Sequence, residues 1–459
     1  MAANEGSNAD NVAIVPTGLE AVYSACRTLY SDQPNPLQVT AVVKFWLGGP
    51  DPLDYISMYS NPGLPERGIP PHWHYISFGL SDLYGDGRVH EFTGPDALSG
   101  FGFELTFRLK REPTETAPPT WPAQLMQGLA KYVFQSDNTL CAGDHVSWHS
   151  PLDSSESRVQ HMLMSEDPQL QPISTPLGTV NFVQVVGVCS EELQAAQRWN
   201  GPSVLELLKS TAVAGGEWLI TDMRRGETIF ELNPHLQEEV DRGIDMDGSN
   251  LSGVSACCSW QEPDDIDFGG EEKPLSQRIS PQQSEQIKAA LKMGLASERP
   301  ALPPISNPQP SKPAANPPTY AQSHRQESLD SDSDPQGNLV ELGNPRCLDR
   351  VHITLNHEAA ALLPLSMKGR LKHGRHFTFK RVAGDCAITL VSNGVEGAFV
   401  DEAHPYAARG QWLQVLFSDD FINVVAEDLD ELSSSEQINL PKTYQWPEKG
   451  LFITIVPND

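Results

Sequence analysis

Two histidine-rich tracts hold the residue types that could do chemistry: PPHWHYISFGLSDLYGDGRVHEF from Pro70 and GDHVSWHSPLDSSESRVQHML from Gly143. In the first, His72 and His74 stand two apart, the spacing that puts side chains on one face of a strand. With His90 they would offer imidazole nitrogens to a zinc ion. In the second, Asp144, His145, Ser147 and His149 supply the acid, base and hydroxyl of a hydrolytic set. Neither set closes. No carboxylate or further histidine stands at a fixed spacing that would complete a zinc shell, and no GxSxG elbow or HGGG-type segment accompanies Ser147. Strand alternation also separates the hydrolytic residues, with Asp144, Val146 and Trp148 on one face and His145, Ser147 and His149 on the other. A simpler reading lets Trp73, Tyr75 and Phe78 build core while the histidines satisfy neighbouring backbone groups. The expectation is therefore a chain with no catalytic residue, no metal and no cofactor. A metal-dependent or hydrolytic enzyme on the His72/His74 and His145/His149 tracts is the alternative.

The elements that position these tracts mix helix and strand. A helix is expected from about Gly18, where Thr17 and Glu20 match a capping box and Leu19, Val22, Tyr23, Cys26 and Leu29 recur at helical spacing. LQVTAVVKFWLGG, HWHYISFGL, FGFELTFRLK, GTVNFVQVVGVC and EWLITDM read as strands, rich in β-branched or aromatic residues between turn formers. WPAQLMQGLAKYVFQS, EELQAAQRW, VLELLKST and NPHLQEEVDRG have helical composition. With no βαβ regularity and no Gly-rich phosphate loop, the pattern predicts an α+β domain over residues 15–260, after a flexible N-terminus at 1–14.

After Trp260 the composition turns acidic (EPDDIDFGGEEK), then proline-rich (ALPPISNPQPSKPAANPP), then polar and acidic (HRQESLDSDSDPQG). Such segments bury too little apolar area to offset ordering entropy, so residues 261–345 are expected to be a disordered insertion. Ser284, Ile287, Leu291 and Leu295 mark one short helix near 284–296. Ser328 and Ser331, following Arg325 and flanked by acids, are phosphorylation candidates in an accessible tract. From Arg350 strand signals return in VHITLNH, ALLPLSMKGRL, HFTFKR, AITLVSN and WLQVLFS. A helix capped by Ser418 and the strand LFITIVP follow. Residues 346–459 thus read as a second domain, and the whole as two mixed α/β domains joined by a hinge.

Sixty acidic against 32 basic residues, a formal charge of −28, exclude the cationic footprint that direct nucleic-acid binding needs and favour basic protein partners. An acidic scaffold without a peptide groove is a further reading of that charge. The seven cysteines are scattered without a CxxC pair, which fits a reducing compartment. No apolar run approaches the roughly 20 residues of a membrane span, and neither a signal peptide nor a prenylation box is expected. What remains is binding, by adding an extended peptide to an exposed strand edge.

Longer runs carry a resemblance. SDQPNPLQVTAVVKFWLGGPDPLDYISMY, HWHYISFGLSDLYGDGRVHEFTG, SGFGFELTFRLKRE, APPTWPAQLMQGLAKYVFQS, GDHVSWHSPLD, EWLITDMRRGETIFE, HGRHFTFK, GVEGAFVDEAHPYAA and YQWPEKGL closely resemble Suppressor of fused. The resemblance implies a cytoplasmic and nuclear negative regulator of Hedgehog signalling, without enzymatic activity, that sequesters Gli/Ci zinc-finger transcription factors. It implies that two domains close around a Ser-Tyr-Gly-His-Leu segment held as a strand. The contacts carried over are Tyr132, Asp144, Val146 and Glu166 from the N-terminal domain, and Leu362, Arg370 and His373 from the C-terminal one. Asp144 would face the ligand histidine. SMKGRLK departs locally from the family pattern. A Fused-type kinase and other Hedgehog-pathway scaffold proteins are further implied partners; nucleic acid and membrane are not.

Overall fold

The computed structural model describes residues 15–263, 345–381, 384–433 and 438–458. The expected N-terminal segment 1–14, nearly all of the expected insertion with its helix at 284–296, and Ser328 and Ser331 lie outside the described residues. The chain divides into two units at Leu251 and Ser252.

In the first unit α1 (Thr17–Leu29) precedes β1 (Leu37–Thr40), β2 (Tyr55–Asn61), β3 (His72–Phe78) and β4 (Leu98–Lys110). Next come α2 (Trp121–Ser136), β5 (His145–Val146), β6 (His161–Glu166), β7 (Ile173–Thr175) and β8 (Gly178–Val188). The helices α3 (Ser190–Arg198), α4 (Gly201–Ser210), α5 (Ile229–Leu232) and α6 (His235–Asp247) end the unit. One eight-stranded sheet runs β1-β2-β3-β4-β8-β6-β5, with β7 beside β8, so β5 forms one edge. β4 pairs parallel with β8 and antiparallel with β3. A parallel pair needs a long crossover, and that connection is where α2 and β5 to β7 lie.

α2 buries Met126, Leu129, Ala130 and Val133 at helical spacing in a core that includes Leu105, Phe107, Met162, Met164 and Val185. Gln127 fixes its register by exchanging two hydrogen bonds with the backbone of Leu53, at 3.0 and 2.8 Å. All seven residues of β3 are buried, because both of its faces are covered.

Several expectations give way to tertiary context. α1 begins at Thr17 after Pro16 and no side chain caps it, since Glu20 pairs instead with Arg27. Only Leu37–Thr40 of LQVTAVVKFWLGG is strand, and Phe45–Leu47 is a 3₁₀ turn. EWLITDM is not a strand. Gly216–Trp218 is a 3₁₀ turn, Leu219 takes φ 50°, and Thr221 alone bridges to Leu109. β2 and β6 went unread in YISMYSN and HMLMSE because their residues carry few β-branched side chains, and pairing with neighbours sets them instead.

The second unit holds β9 (Gly253–Ala256), β10 (Cys258–Gln261), β11 (Arg346–Leu348), β12 (Val351–Asn356) and β13 (Phe377–Arg381). β14 (Ala387–Ser392), β15 (Tyr406–Arg409), β16 (Trp412–Phe417), β17 (Lys442–Trp446) and β18 (Leu451–Val456) complete it. Two sheets form, ordered β10-β12-β18-β17 and β11-β15-β16-β14-β13-β9. The division at 251 precedes the 260 read from composition because β9 pairs with β13 and β10 with β12, tying 253–261 to later strands. ALLPLSMKGRL is helical rather than strand: Leu363–Leu365, a π turn over Ser366–Arg370 and a 3₁₀ turn over Leu371–His373 follow one another. Its Leu, Met, Lys and Arg are good helix formers and none is β-branched. Ser418 sits at the N-cap of Asp419–Asp428 without a side-chain capping bond. Both units are α+β, as expected. Among the described residues no helix is long and apolar enough to cross a membrane.

Candidate functional site

His72 and His74 are completely buried, and every ring nitrogen has a partner. His72 Nδ1 donates to Pro70 O at 2.9 Å while Nε2 accepts from Arg108 Nη1 at 2.9 Å. His74 Nε2 donates to Asp167 Oδ2 at 3.0 Å, and Nδ1 accepts from Tyr30 Oη at 2.7 Å. Arg108 also donates to both Asp167 oxygens, at 2.9 and 3.1 Å, and to Gln184 and Gln169 at 2.9 Å each. His90 lies apart, bonded to Gly79 O at 3.0 Å and packed on Phe101 and Phe134. Among the described residues no cluster of three or more His, Cys, Asp or Glu is placed to hold a metal ion. His72, His74, Arg108 and Asp167 thus form a buried polar network in which every ring and guanidinium nitrogen has a partner.

Burial, aided by the Arg108 guanidinium, pushes His72 down to about 3 and His74 down to about 4. Burial alone would raise Asp167, but Arg108 and His74 outweigh it and hold the carboxyl well below its ordinary range. The histidines are neutral when folded, and unfolding lets them bind protons below pH 6.5. Stability is therefore full above about pH 6.5 and falls by up to about 1.4 kcal/mol per pH unit per histidine as pH drops toward 4. Asp167 acts with the same sign at lower pH, its contribution being lost as pH falls below the unfolded carboxylate value. Urea unfolding at pH 7 and pH 5 checks this; equal stabilities would overturn it.

The second tract does not assemble a nucleophile. Ser147 Oγ meets Gln197 Nε2 at 3.5 Å rather than a histidine. β5 is only two residues long, and His149 takes φ 60°, so strand alternation stops short of it. A serine–histidine contact does occur, between His161 Nε2 and Ser190 Oγ at 3.1 Å. His161 Nδ1 already accepts from Trp148 N at 3.2 Å, so Nε2 carries the proton and cannot receive that of Ser190.

Of the residues carried over for the first unit, Asp144, Val146 and Glu166 lie on or next to β5 and β6, and Tyr132 lies on α2. Gly143 N donates to Met164 O at 2.7 Å and Met164 N to Asp144 O at 2.8 Å, extending the β5–β6 pairing back through Asp144. Glu166, two residues beyond Met164, ends β6 exposed. Val146, opposite Met162, and Tyr132 on α2 are half-buried against the core. Tyr132 Oη accepts from Asn138 Nδ2 at 2.9 Å. Two glycines make the arrangement fit. Gly143 has φ 94°, and a Cβ at Gly201 would stand 2.1 Å from Gly143 O, so α4 can start against this backbone.

Asp144 is 3% exposed. Its Oδ2 accepts from Cys141 N at 2.8 Å, and among the described residues no cation pairs with it. Burial pushes its pKa up, against the Cys141 hydrogen bond. In the second unit Leu362, Arg370 and His373 fall on the single helical run just described. Leu362 and His373 are half-buried; Arg370 is buried, its Nε donating to His376 O at 2.9 Å. Burial, with Arg375 nearby, pushes Arg370 down to about 10.

Sequence reasoning missed Arg108, Asp167 and Trp148. Arg108 had a signal, a cation between Phe107 and Leu109 inside the strand FELTFRLK, which demands a buried partner. Trp148 is 37% exposed, and its ring lies over α2 at Gly128, where a Cβ would come within 3.3 Å. It thus stands one helical turn from Tyr132.

Comparison with known proteins agrees with this architecture. The family profile described as Suppressor of fused protein matches residues 49–226, and that described as Suppressor of Fused Gli/Ci N terminal binding domain matches residues 238–455. The chain is 61% identical to the human Suppressor of fused homolog over 96% of its own length and 92% of that protein. It is 60% identical to the mouse homolog with the same coverage. Among solved structures, Drosophila Suppressor of fused aligns with a TM-score of 0.72 and 39% identity, covering 97% of this chain and 98% of the fly chain. The chain belongs to the Suppressor of fused family.

Proposed function

We propose that this chain is a negative regulator of Hedgehog signalling that binds and sequesters Gli/Ci transcription factors in cytoplasm and nucleus. It acts by binding, without catalysis. A Ser-Tyr-Gly-His-Leu segment of the partner adds as a strand at the outer edge of β5, with Leu362, Arg370 and His373 of the second unit completing its contacts. A Fused-type kinase is a second partner in this reading. The family description, which names Gli/Ci binding, supports the partner.

The observation that carries the reading is Asp144, a buried carboxylate without a cation beside an unpaired strand edge. Removing a carboxylate from water is costly unless an opposite charge returns the lost solvation. A ligand imidazolium supplies that charge, while the strand edge supplies backbone pairing. The test is calorimetric titration of the full chain with Ser-Tyr-Gly-His-Leu and with Ser-Tyr-Gly-Ala-Leu. The alanine peptide is expected to bind at least about tenfold more weakly, or roughly 1.4 kcal/mol. Equal affinity would remove the histidine–Asp144 pair from the interface.

A further inference from the structure

Beside the β5 edge, a cleft of about 420 Å³ opens between the end of β6 and α4. Leu205, Trp218 and Leu219 line it with apolar surface, and Glu166, Glu206 and Glu217 line it with carboxylates. Glu206 holds Lys209 at 2.7 Å and Glu217 holds Arg67, whereas Glu166 pairs with no cation among the described residues. The cleft thus carries one uncompensated carboxylate, Glu166, beside two paired ones over an apolar floor, with Lys209 also on its lining.

A second observation concerns a donor. Trp218 is only 8% exposed, its ring edge-on to His72 and beneath the Arg108 guanidinium. Among the described residues its Nε1–H nevertheless donates to no acceptor, and Trp218 lines the cleft. A buried indole normally finds an acceptor, so this donor is available to a carbonyl brought by a ligand.

We propose that this cleft takes an arginine side chain flanking the peptide segment read by Asp144. The guanidinium lies among Glu166, Glu206 and Glu217, and a partner backbone carbonyl accepts from Trp218 Nε1–H. Arginine suits the site better than lysine: its planar fork offers five donors to several carboxylates, and its methylene stem covers the apolar floor. The cleft is continuous with the proposed peptide edge, because Gly143 and Glu166 line it and Asp144 follows Gly143. The inference extends the peptide reading and rests on it for the identity of the ligand.

The experiment uses the full chain with three kinds of peptide: Ser-Tyr-Gly-His-Leu alone, the same core extended by Arg-Gly-Arg at either end, and an extended peptide with the core order shuffled. One extension is expected to tighten binding about five- to tenfold, the size of one or two partly screened charge pairs. The Glu206→Gln/Glu217→Gln double variant is expected to lose that gain. In ¹⁵N-labelled protein the Trp218 indole resonance, assigned through Trp218→Phe, moves with the extended peptide and not with the core. No gain at either end, or a gain that survives the double glutamine variant, overturns the proposal. If the core fails to bind but the shuffled, extended peptide still moves the Trp218 resonance, the cleft stands and the Asp144 reading falls.

Discussion

Asp144→Arg is expected to abolish binding of the histidine-bearing peptide while the protein stays folded. Asp144 is 3% exposed, and among the described residues its one hydrogen-bond partner is the Cys141 backbone N–H. Burial raises its pKa because the charge has lost water without gaining a cation. An imidazolium from the peptide restores that balance, so breaking the pair from one side costs about 2–5 kcal/mol, roughly 30-fold to several thousand-fold in affinity. Charge reversal adds repulsion. An exposed rim contact would cost under about 1 kcal/mol instead, so the magnitude separates a built site from a surface encounter. The fold tolerates the change because Asp144 holds only a local turn, and an arginine stem can extend out of the β5 edge. Asp144→Asn serves as the control, keeping the acceptor for Cys141 N while removing the charge. Both variants are titrated with one peptide after their melting curves are matched to wild type. A loss below about fivefold, near 1 kcal/mol, would remove Asp144 from the site.

The parts of this fold legible in the sequence are those whose signal is local. HWHYISF, FGFELTFRLK and GTVNFVQVVGV are dense in aromatic and β-branched residues and form β3, β4 and β8. WPAQLMQGLAKYVFQS carries its apolar face at helical spacing and forms α2. What stayed hidden depends on partners distant in sequence. β6 is a strand through β8, and β9 and β10 belong to the second unit through β13 and β12. The same division runs through the site. His72 and His74 share a face as their spacing requires, but only the fold brings Arg108 and Asp167 to them and turns an apparent metal pair into a buried network. Asp144 was identified by resemblance; its low exposure and unpaired charge come from the packing of α4 and β6 around Gly143.

Asp167→Ala is expected to destabilise the first unit by about 3–5 kcal/mol, the cost of leaving one member of a buried ion pair uncompensated. Arg108 has no exposure, and among the described residues its guanidinium has no other carboxylate partner. Asp167 also accepts from Thr106 Oγ1 at 2.8 Å and from the backbone N–H groups of Gln169 and Leu170 at 2.8 and 2.9 Å. Those donors would be left unsatisfied with Arg108 and His74. For a domain of this size the loss corresponds to a Tm lower by roughly 6–20 °C. Circular dichroism melting of wild type and variant measures it, and a drop of only a degree or two would mean that water reaches Arg108. A double variant, Arg108→Met with Asp167→Leu, separates charge from packing, since apolar replacement of a buried pair is often neutral or stabilising. It is expected to melt above Asp167→Ala. Because Asp167 follows Glu166 and lines the same cleft, the single variant will also lose peptide. Recovery of the Asp144-dependent affinity in the double variant would assign that loss to folding, and a persistent loss at wild-type stability would make Asp167 part of the binding surface.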